Sequence, residues 1–427
     1  MIRRLVALAF VPALLVGALH CSAGGSNSSS STGTSPGTGS GVGGGLLDAG
    51  MGLDADEGPS GDNMCPGTVQ SFIWIANTGE GTLSKVCTLN GKEVARYYTS
   101  AQLAGGDPSR TSVNLHGDVV VTNRDPSSGQ SSVTKFAGDV NDCPDKNQNG
   151  HIETSIGPTD VKPWGQDECM LWNTPLGEGS GSIGARATAW DGTEDDVTGQ
   201  GGHVFIGAMM NRTVYKLDGD TGQVLDQAVT ALGHYGGAID NQGNFWTVDM
   251  SCTVGICQIE RISLADLTDH QTHGVHCGYG ISVDSKGRVW TAGQNIMAGG
   301  GCVSRFDPSN DENVWVNTGA LDFNRGVAVG VAASAGFVWA ASTNGDLIQV
   351  DVEAVTIVNR QHIGTESMVG VAVDFEGYVW TVSEGANAAH KVDPTTWAAT
   401  TVPIGIQPYT YSDMTGMQLW NVVGPPR

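Results

Sequence analysis

Between Cys143 and Ser155 the chain reads CPDKNQNGHIETS, and its oxygen-bearing side chains alternate. Asp145, Asn147 and Asn149, with Gly150 next, occupy the first, third, fifth and sixth positions of a loop of EF-hand type, and Ile152 fits the eighth. Ca2+ takes roughly six to eight oxygen ligands, and alternate side chains on a tightly turning loop can face one centre. The twelfth position holds Ile156 where a bidentate glutamate belongs, and no amphipathic helix flanks the loop. Glu153, Asp160, Asp142 or Asp139 would have to supply that carboxylate. The expectation is a structural Ca2+ with Asp145, Asn147, Asn149, His151 and Glu153 as candidate ligands. Against it stands a simple Asx- and Gly-rich turn braced by a disulfide.

Other clusters point less far. His270, His273 and His276 precede Cys277, but on a strand the first and last face one way and His273 the other, so they do not converge on a metal. The run GSGSIG (Gly179–Gly184) matches G-x-G-x-x-G but leads into a strand rather than a helix, which removes the dinucleotide reading. Neither H-E-x-x-H nor G-x-S-x-G occurs.

The elements that must position any site come from a repeat. GGAIDNQGNFWTVD, GISVDSKGRVWTAG and GVAVDFEGYVWTVS end in Trp246, Trp290 and Trp380, and GVAVGVAASAGFVWAAS is the same unit with an insertion, giving Trp339. These tryptophans recur at intervals of 41 to 49 residues, the length of one four-stranded propeller blade. Weaker copies carry Val120 and Phe205 in the tryptophan place, and Trp74 marks the first copy. Each copy continues as short alternating runs separated by Asp/Gly/Pro/Asn turns, with no sustained helical periodicity. The first copy lacks an inner strand, and YTYSDMTGMQLW (Tyr409–Trp420) matches the missing pattern at the other end of the chain. A C-terminal strand completing the first blade would leave no open edge. The fold expected is all-β, a seven-bladed β-propeller over residues 65–427. The calcium-like stretch then falls in an insertion at about 139–180 in blade 2.

The G-V-x-V-D-x-x-G-x-V-W unit followed by a turn such as RFDP resembles the NHL-repeat and virginiamycin B lyase-like propellers, over about residues 67–420. The motif is structural: its Trp and Val fill the space between blades, and its Asp and Gly make turns, so it specifies fold better than function. The lyase resemblance implies opening of a cyclic ester by elimination with a Mg2+-supported His/Glu pair. Glu384 and His390, in SEGANAAHKVDP, are the catalytic candidates it offers. Lactonase-like propellers imply instead a channel metal, for which Glu384, Asn295, Asn123 and Asp249 have the right chemistry.

Propellers carry ligands on the face where outer strands return to inner strands. Here those returns contribute Arg110, Arg186, His234, Tyr235, Tyr279, Arg325 and Tyr409, and the loops between second and third strands contribute Asn77, Asn123, Asp249, Asn295, Asn344 and Glu384. Arg186 and Arg325 fall at one repeat position, and Arg110 is one residue off it. Converging guanidinium groups favour an anionic ligand, and tyrosines stack on a sugar or peptide. The first reading is therefore a binding module for a small anionic, glycan or protein ligand. The alternative is a metal-dependent lyase or lactonase, with Mg2+ entering only in that case.

The ends and the bulk composition set the compartment. Residues 1–21 pair a basic start at Arg3 and Arg4 with a short apolar run, and Cys21 follows, as in a lipoprotein-type signal with a lipidated cysteine. Cleavage near Ala23 by an ordinary signal peptidase is the other option. Residues 22–64, Gly/Ser-rich and then acidic, have no periodic apolar residues and read as a disordered tether. The expected address is the cell envelope, at the outer membrane or cell surface, with membrane contact only through the lipid and a monomeric domain. A formal charge of −23 argues against nucleic acid as a partner. Setting Cys21 aside leaves eight cysteines, and local closeness pairs Cys143–Cys169, Cys252–Cys257, Cys277–Cys302 and hence Cys65–Cys87.

Overall fold

The computed structural model describes residues 65–424, apart from 127–128, 179–180, 251, 253–254, 296, 298 and 365–366. These residues belong to one compact unit, Glu57–Arg427. The signal segment 1–21, Cys21 and the tether at 22–64 lie outside the described residues, as does the start of the GSGSIG run.

Seven sheets form, one for each copy of the repeat. Their innermost strands are Pro108–Val113, Ala185–Trp190, Gly236–Ile239, Gly280–Val283, Asn324–Val329, Met368–Val373 and the short Tyr411–Ser412. Each touches the next, and the last touches the first, so the ring closes as a seven-bladed propeller. The repeat residue Trp74, Val120, Phe205, Trp246, Trp290, Trp339 or Trp380 sits on the second strand of its blade and is at most 1% exposed. In three blades the repeat aspartate does more than turn the chain. Asp240, Asp284 and Asp374 accept the indole N–H of Trp246, Trp290 and Trp380 at 2.7, 3.0 and 2.8 Å. Truncating such a buried tryptophan to alanine costs about 3–5 kcal/mol.

The C-terminal segment closes the ring on both sides. Tyr409 N–H donates to the Ala76 carbonyl, and Trp74 N–H donates to that of Met414, both at 2.9 Å, which supplies blade 1 with its inner edge. Tyr411 and Ser412 pair in parallel with Arg110 and Thr111 of blade 2. A Cβ on Gly370 of blade 7 would lie 2.1 Å from the Thr410 carbonyl oxygen, so this seam requires glycine.

One expectation is corrected here. The strand expected over Tyr409–Trp420 ends at Ser412, and Met417–Val423 is an α-helix in a region read as having none. The buried Asp413 carboxylate accepts the N–H groups of Gly416 and Leu419 at 2.8 and 2.9 Å, so it caps a helix instead of tying a tryptophan. The indole N–H of Trp74 accordingly has no partner among the described residues. Met417, Leu419 and Val422 of this helix pack into three different blade cores, at the C-terminal ends of the inner strands. The helix thus covers that end of the ring.

All four expected disulfides form: Cys65–Cys87, Cys143–Cys169, Cys252–Cys257 and Cys277–Cys302. They point to an oxidising, extracytoplasmic compartment. Among the described residues, no helix is long and apolar enough to cross a membrane.

Candidate functional site

The opposite end of the channel is built at the N-terminal ends of the inner strands. In blades 3 and 6 the ladder register shifts around one residue, Arg186 between Ala185 and Ala187, and Arg325 between Asn324 and Gly326. In blade 2 the shift falls on Ser109, so Arg110 comes one residue later. A bulge re-aims its side chain out of the ladder, and the repeat thereby delivers arginines to the mouth. Tyr235 and Tyr279 stand immediately before the inner strands of blades 4 and 5, and Tyr409 and Tyr411 arrive on the closing segment.

Three phenols meet there. The hydroxyls of Tyr235, Tyr279 and Tyr409 lie 2.6, 2.7 and 2.6 Å apart around a triangle, and the Tyr411 hydroxyl is 3.2 Å from that of Tyr279. Guanidinium groups surround them. Arg110 lies 3.9 Å over the Tyr411 ring and 4.8 Å over Tyr235, Arg186 lies 4.5 Å over Tyr235 from another side, and Arg124 lies 4.8 Å over Tyr409.

The arginines differ in their partners. Arg124 pairs with Asp107, and Arg325 pairs with Glu384 at 3.3 Å. Arg110 is 1% exposed, makes only long contacts to Ser109 at 3.4 and 3.5 Å, and leaves Nε and Nη2 without a hydrogen bond. Arg186 likewise leaves Nη1 unbonded and has no carboxylate partner among the described residues. An uncompensated buried charge costs about 3–5 kcal/mol, and a desolvated cation–π contact returns about 2 kcal/mol. Ring stacking therefore offsets only part of the cost of burying Arg110.

The charges are felt across the cluster. Burial and the neighbouring Arg186 guanidinium lower the Arg124 pKa. Burial raises the Tyr235, Tyr279 and Tyr411 phenols. Burial acts on Tyr409 in the same direction, but Arg110 and the hydroxyls of Tyr235, Tyr279 and Tyr411 outweigh it and bring that phenol down to about 7.

Other expected site residues have different positions. His234 is fully buried between the hydroxyls of Thr230 and Thr247, at 3.0 and 2.9 Å, and burial lowers it to about 4. Asn77 donates to Thr82 and Ser84, Asn123 to the Thr99 carbonyl, and Asn295 to the carbonyls of Gly255 and His276, so these amides tie loops to their own or adjacent blades. Asn344 donates to Asp322 at 2.9 Å, and Asp249 is half-buried, its backbone N–H on the Gln258 carbonyl. Glu384 reaches the mouth, where it faces Arg325. His390 is buried within blade 7, between the hydroxyls of Ser383 and Thr401, both at 3.1 Å.

The blade 2 insertion runs between its third and outer strands, from Phe136 to Met170. The Asp145 carboxylate accepts Gly150 N–H at 2.8 Å, and the Asn147 and Asn149 amides both donate to Glu153, at 2.8 and 2.5 Å. These bonds, the Asn149 one foremost, lower the Glu153 pKa. The His151 backbone N–H donates to Asn149 Oδ1 at 2.8 Å. Among the described residues, no group of three or more His, Cys, Asp or Glu side chains has metal-holding geometry.

Sequence reasoning missed Arg124, Tyr411 and Glu168. Arg124 follows the second strand of blade 2, a place read only for its asparagine. Tyr411 was legible as the residue two beyond Tyr409 on an extended strand, hence on the same face. The buried Glu168 accepts the N–H groups of Lys146, Asn147 and Glu153 and so organises the whole insertion loop. Only its position next to Cys169 hinted at this.

No family model matches the chain, and no curated protein matches it in sequence. Among solved structures it is similar to virginiamycin B lyase from Staphylococcus aureus, at 14% identity and a TM-score of 0.48, covering 72% of this chain and 90% of that one. It is also similar to Kuenenia stuttgartiensis hydrazine synthase, at 10% identity and a TM-score of 0.49, covering 73% and 91%. Similarity extends to apo AztD from Citrobacter koseri, at 11% identity and a TM-score of 0.46, covering 79% and 96%. What the chain has in common with these proteins is the propeller.

Proposed function

We propose that this chain is an exported binding module, held at the cell envelope through Cys21, whose open channel mouth takes a small anionic ligand. The observation that carries this reading is Arg110: a fully buried guanidinium with unbonded Nε and Nη2 and no carboxylate partner among the described residues. Arg186 and Arg124 beside it make the mouth electropositive within a chain of formal charge −23. A carboxylate or sulfate oxygen is the group that best satisfies such a fork of donors. Glu384 is engaged by Arg325 and His390 is buried in its blade, which supports binding over Mg2+-assisted elimination.

The test is a thermal-shift and calorimetric comparison of acetate, sulfate, phosphate and a uronic acid against neutral sugars at matched ionic strength. Stabilisation by anions that disappears in Arg186→Ala supports the reading. Equal response to neutral sugars, or none to any anion, overturns it. The anchor is tested separately: Cys21→Ser should move the protein from the membrane fraction to the soluble one.

We also propose that the Asp145–Glu153 loop holds a structural Ca2+. The Asp145 and Glu153 carboxylates of this loop supply the charged oxygens, and the Asn147 and Asn149 amides both reach the Glu153 carboxylate.

A further inference from the structure

We infer that Tyr409 is the resident counter-ion of the guanidinium cluster, a phenolate that an incoming anion replaces by driving a proton onto it, so that the site takes up an anion and a proton together. The inference rests on the anion-binding reading of the same mouth and adds how the site behaves when no ligand is bound.

Arg110 cannot lose its proton, it is buried, and no carboxylate reaches it among the described residues. Two acidic groups at the mouth, Asp107 and Glu384, are committed to Arg124 and Arg325. The groups next to Arg110 that can carry a negative charge are phenols. Of these, Tyr409 is placed best to hold it, because its oxygen lies within 2.7 Å of two other hydroxyls: Tyr235 donates to Tyr279, and Tyr279 can donate on to Tyr409. A phenolate at the end of that O–H relay and faced by guanidinium groups is a preorganised oxyanion site.

Charged and phenolic groups of five blades gather around Tyr409 and its phenol neighbours. Blade 2 brings Arg110 and Arg124, blade 3 Arg186, blade 4 Tyr235, blade 5 Tyr279, blade 6 Arg325, and the closing strand Tyr411. The shifts agree with one negative charge held in common. Tyr409 is brought down to about 7 while its three phenol neighbours are raised, and Arg325 is raised because, against the effect of burial, Tyr411, Tyr279, Tyr409 and Glu384 favour its charged form. A ligand anion drawn to the same guanidinium groups repels the phenolate, and protonation of Tyr409 relieves the conflict. The net uptake is one anion and one proton from solvent, with no bond broken in the ligand.

The experiment is an ultraviolet phenolate titration of the exported protein between about pH 5 and about pH 9, with and without sulfate, whose charge is constant over that range. One tyrosine should ionise near pH 7, sulfate should suppress that ionisation, and Tyr409→Phe should abolish it. Sulfate affinity of the wild type should fall by about tenfold per pH unit above that point, and that of Tyr409→Phe should stay flat. The wild-type titration decides even where the variant does not fold. Ionisation only above about pH 9, or a phenolate indifferent to sulfate that still stabilises the protein, overturns this inference and leaves the anion site standing. Failure of sulfate to stabilise the protein at any pH removes both.

Discussion

Arg110 and Tyr411 lie directly opposite one another on two parallel strands, with the guanidinium carbon 3.9 Å from the ring centre. The contact that closes the propeller is thus also the floor of the cation cluster. The closing segment brings Tyr409 and Tyr411 across the seam, so a ligand site at this mouth exists only in the closed ring.

Arg110→Met separates the charge from the packing. Below about pH 7, where Tyr409 is protonated and Arg110 has no counter-charge, replacing the buried guanidinium by an apolar chain of similar volume removes a desolvation cost. The variant should match or exceed the wild-type melting temperature in anion-free buffer and lose the stabilisation by sulfate. Thermal melts with and without sulfate check both halves. A variant that melts far lower yet keeps its sulfate response would mean that Arg110 serves packing alone.

Glu384→Gln addresses the competition for Arg325. The pair spans 3.3 Å, and both side chains are partly exposed, so the interaction is modest. Freeing Arg325 should strengthen anion binding by a few-fold, on the order of 0.5–1 kcal/mol. Isothermal titration with sulfate reads this directly. A catalytic Glu384 predicts a different result, loss of turnover on a cyclic ester with anion binding unchanged.

Much of this arrangement was legible in the sequence because the repeat encodes contacts as well as strands. The aspartate of G-x-x-x-D-x-x-G-x-x-W binds the indole six residues later in Asp240–Trp246, Asp284–Trp290 and Asp374–Trp380, so the spacing carries the fold. Arg186 and Arg325 share a repeat position because both sit on the same bulge. Arg110 is displaced by one because its blade bulges at Ser109, and a register shift leaves no mark in composition. The C-terminal helix was not legible. Its seven residues span two turns, too short for a period, and Asp413 looks like every other repeat aspartate until its carboxylate is seen on backbone N–H groups. His234 and Asn77 looked like site residues because loop ties and ligand contacts use the same side chains.

Ca2+ binding at the insertion should be saturable and stabilising. Removal of Ca2+ with a chelator should lower the melting temperature, by about 1–2 °C for each kcal/mol in a domain of this size. Asp145→Ala should abolish the response. Glu168→Gln should weaken it indirectly, because Glu168 holds the N–H groups of Lys146, Asn147 and Glu153 and faces the backbone rather than the proposed ion. A calorimetric titration of the wild type with no heat and no melting shift would remove the proposal and leave an Asx-rich turn.

Asp413 gives a pH dependence whose sign can be worked out. Burial raises its carboxyl from 3.8 to about 6, against the N–H groups of Leu419, Gln418, Thr415 and Gly416, which favour the ionised form. A folded-state pKa above the unfolded value means that the folded chain binds the extra proton between those two pH values. The associated stability is present below the unfolded pKa and is lost as pH rises through the folded one. Asp413→Asn keeps the shape and cannot ionise. It should gain stability relative to the wild type as pH rises from about 4 to about 7, by up to roughly 3 kcal/mol at 1.36 kcal/mol per unit. Denaturant unfolding of both proteins across that range measures the difference. A constant difference would show that Asp413 ionises at its ordinary value, its charge carried by the helix N-terminus it caps.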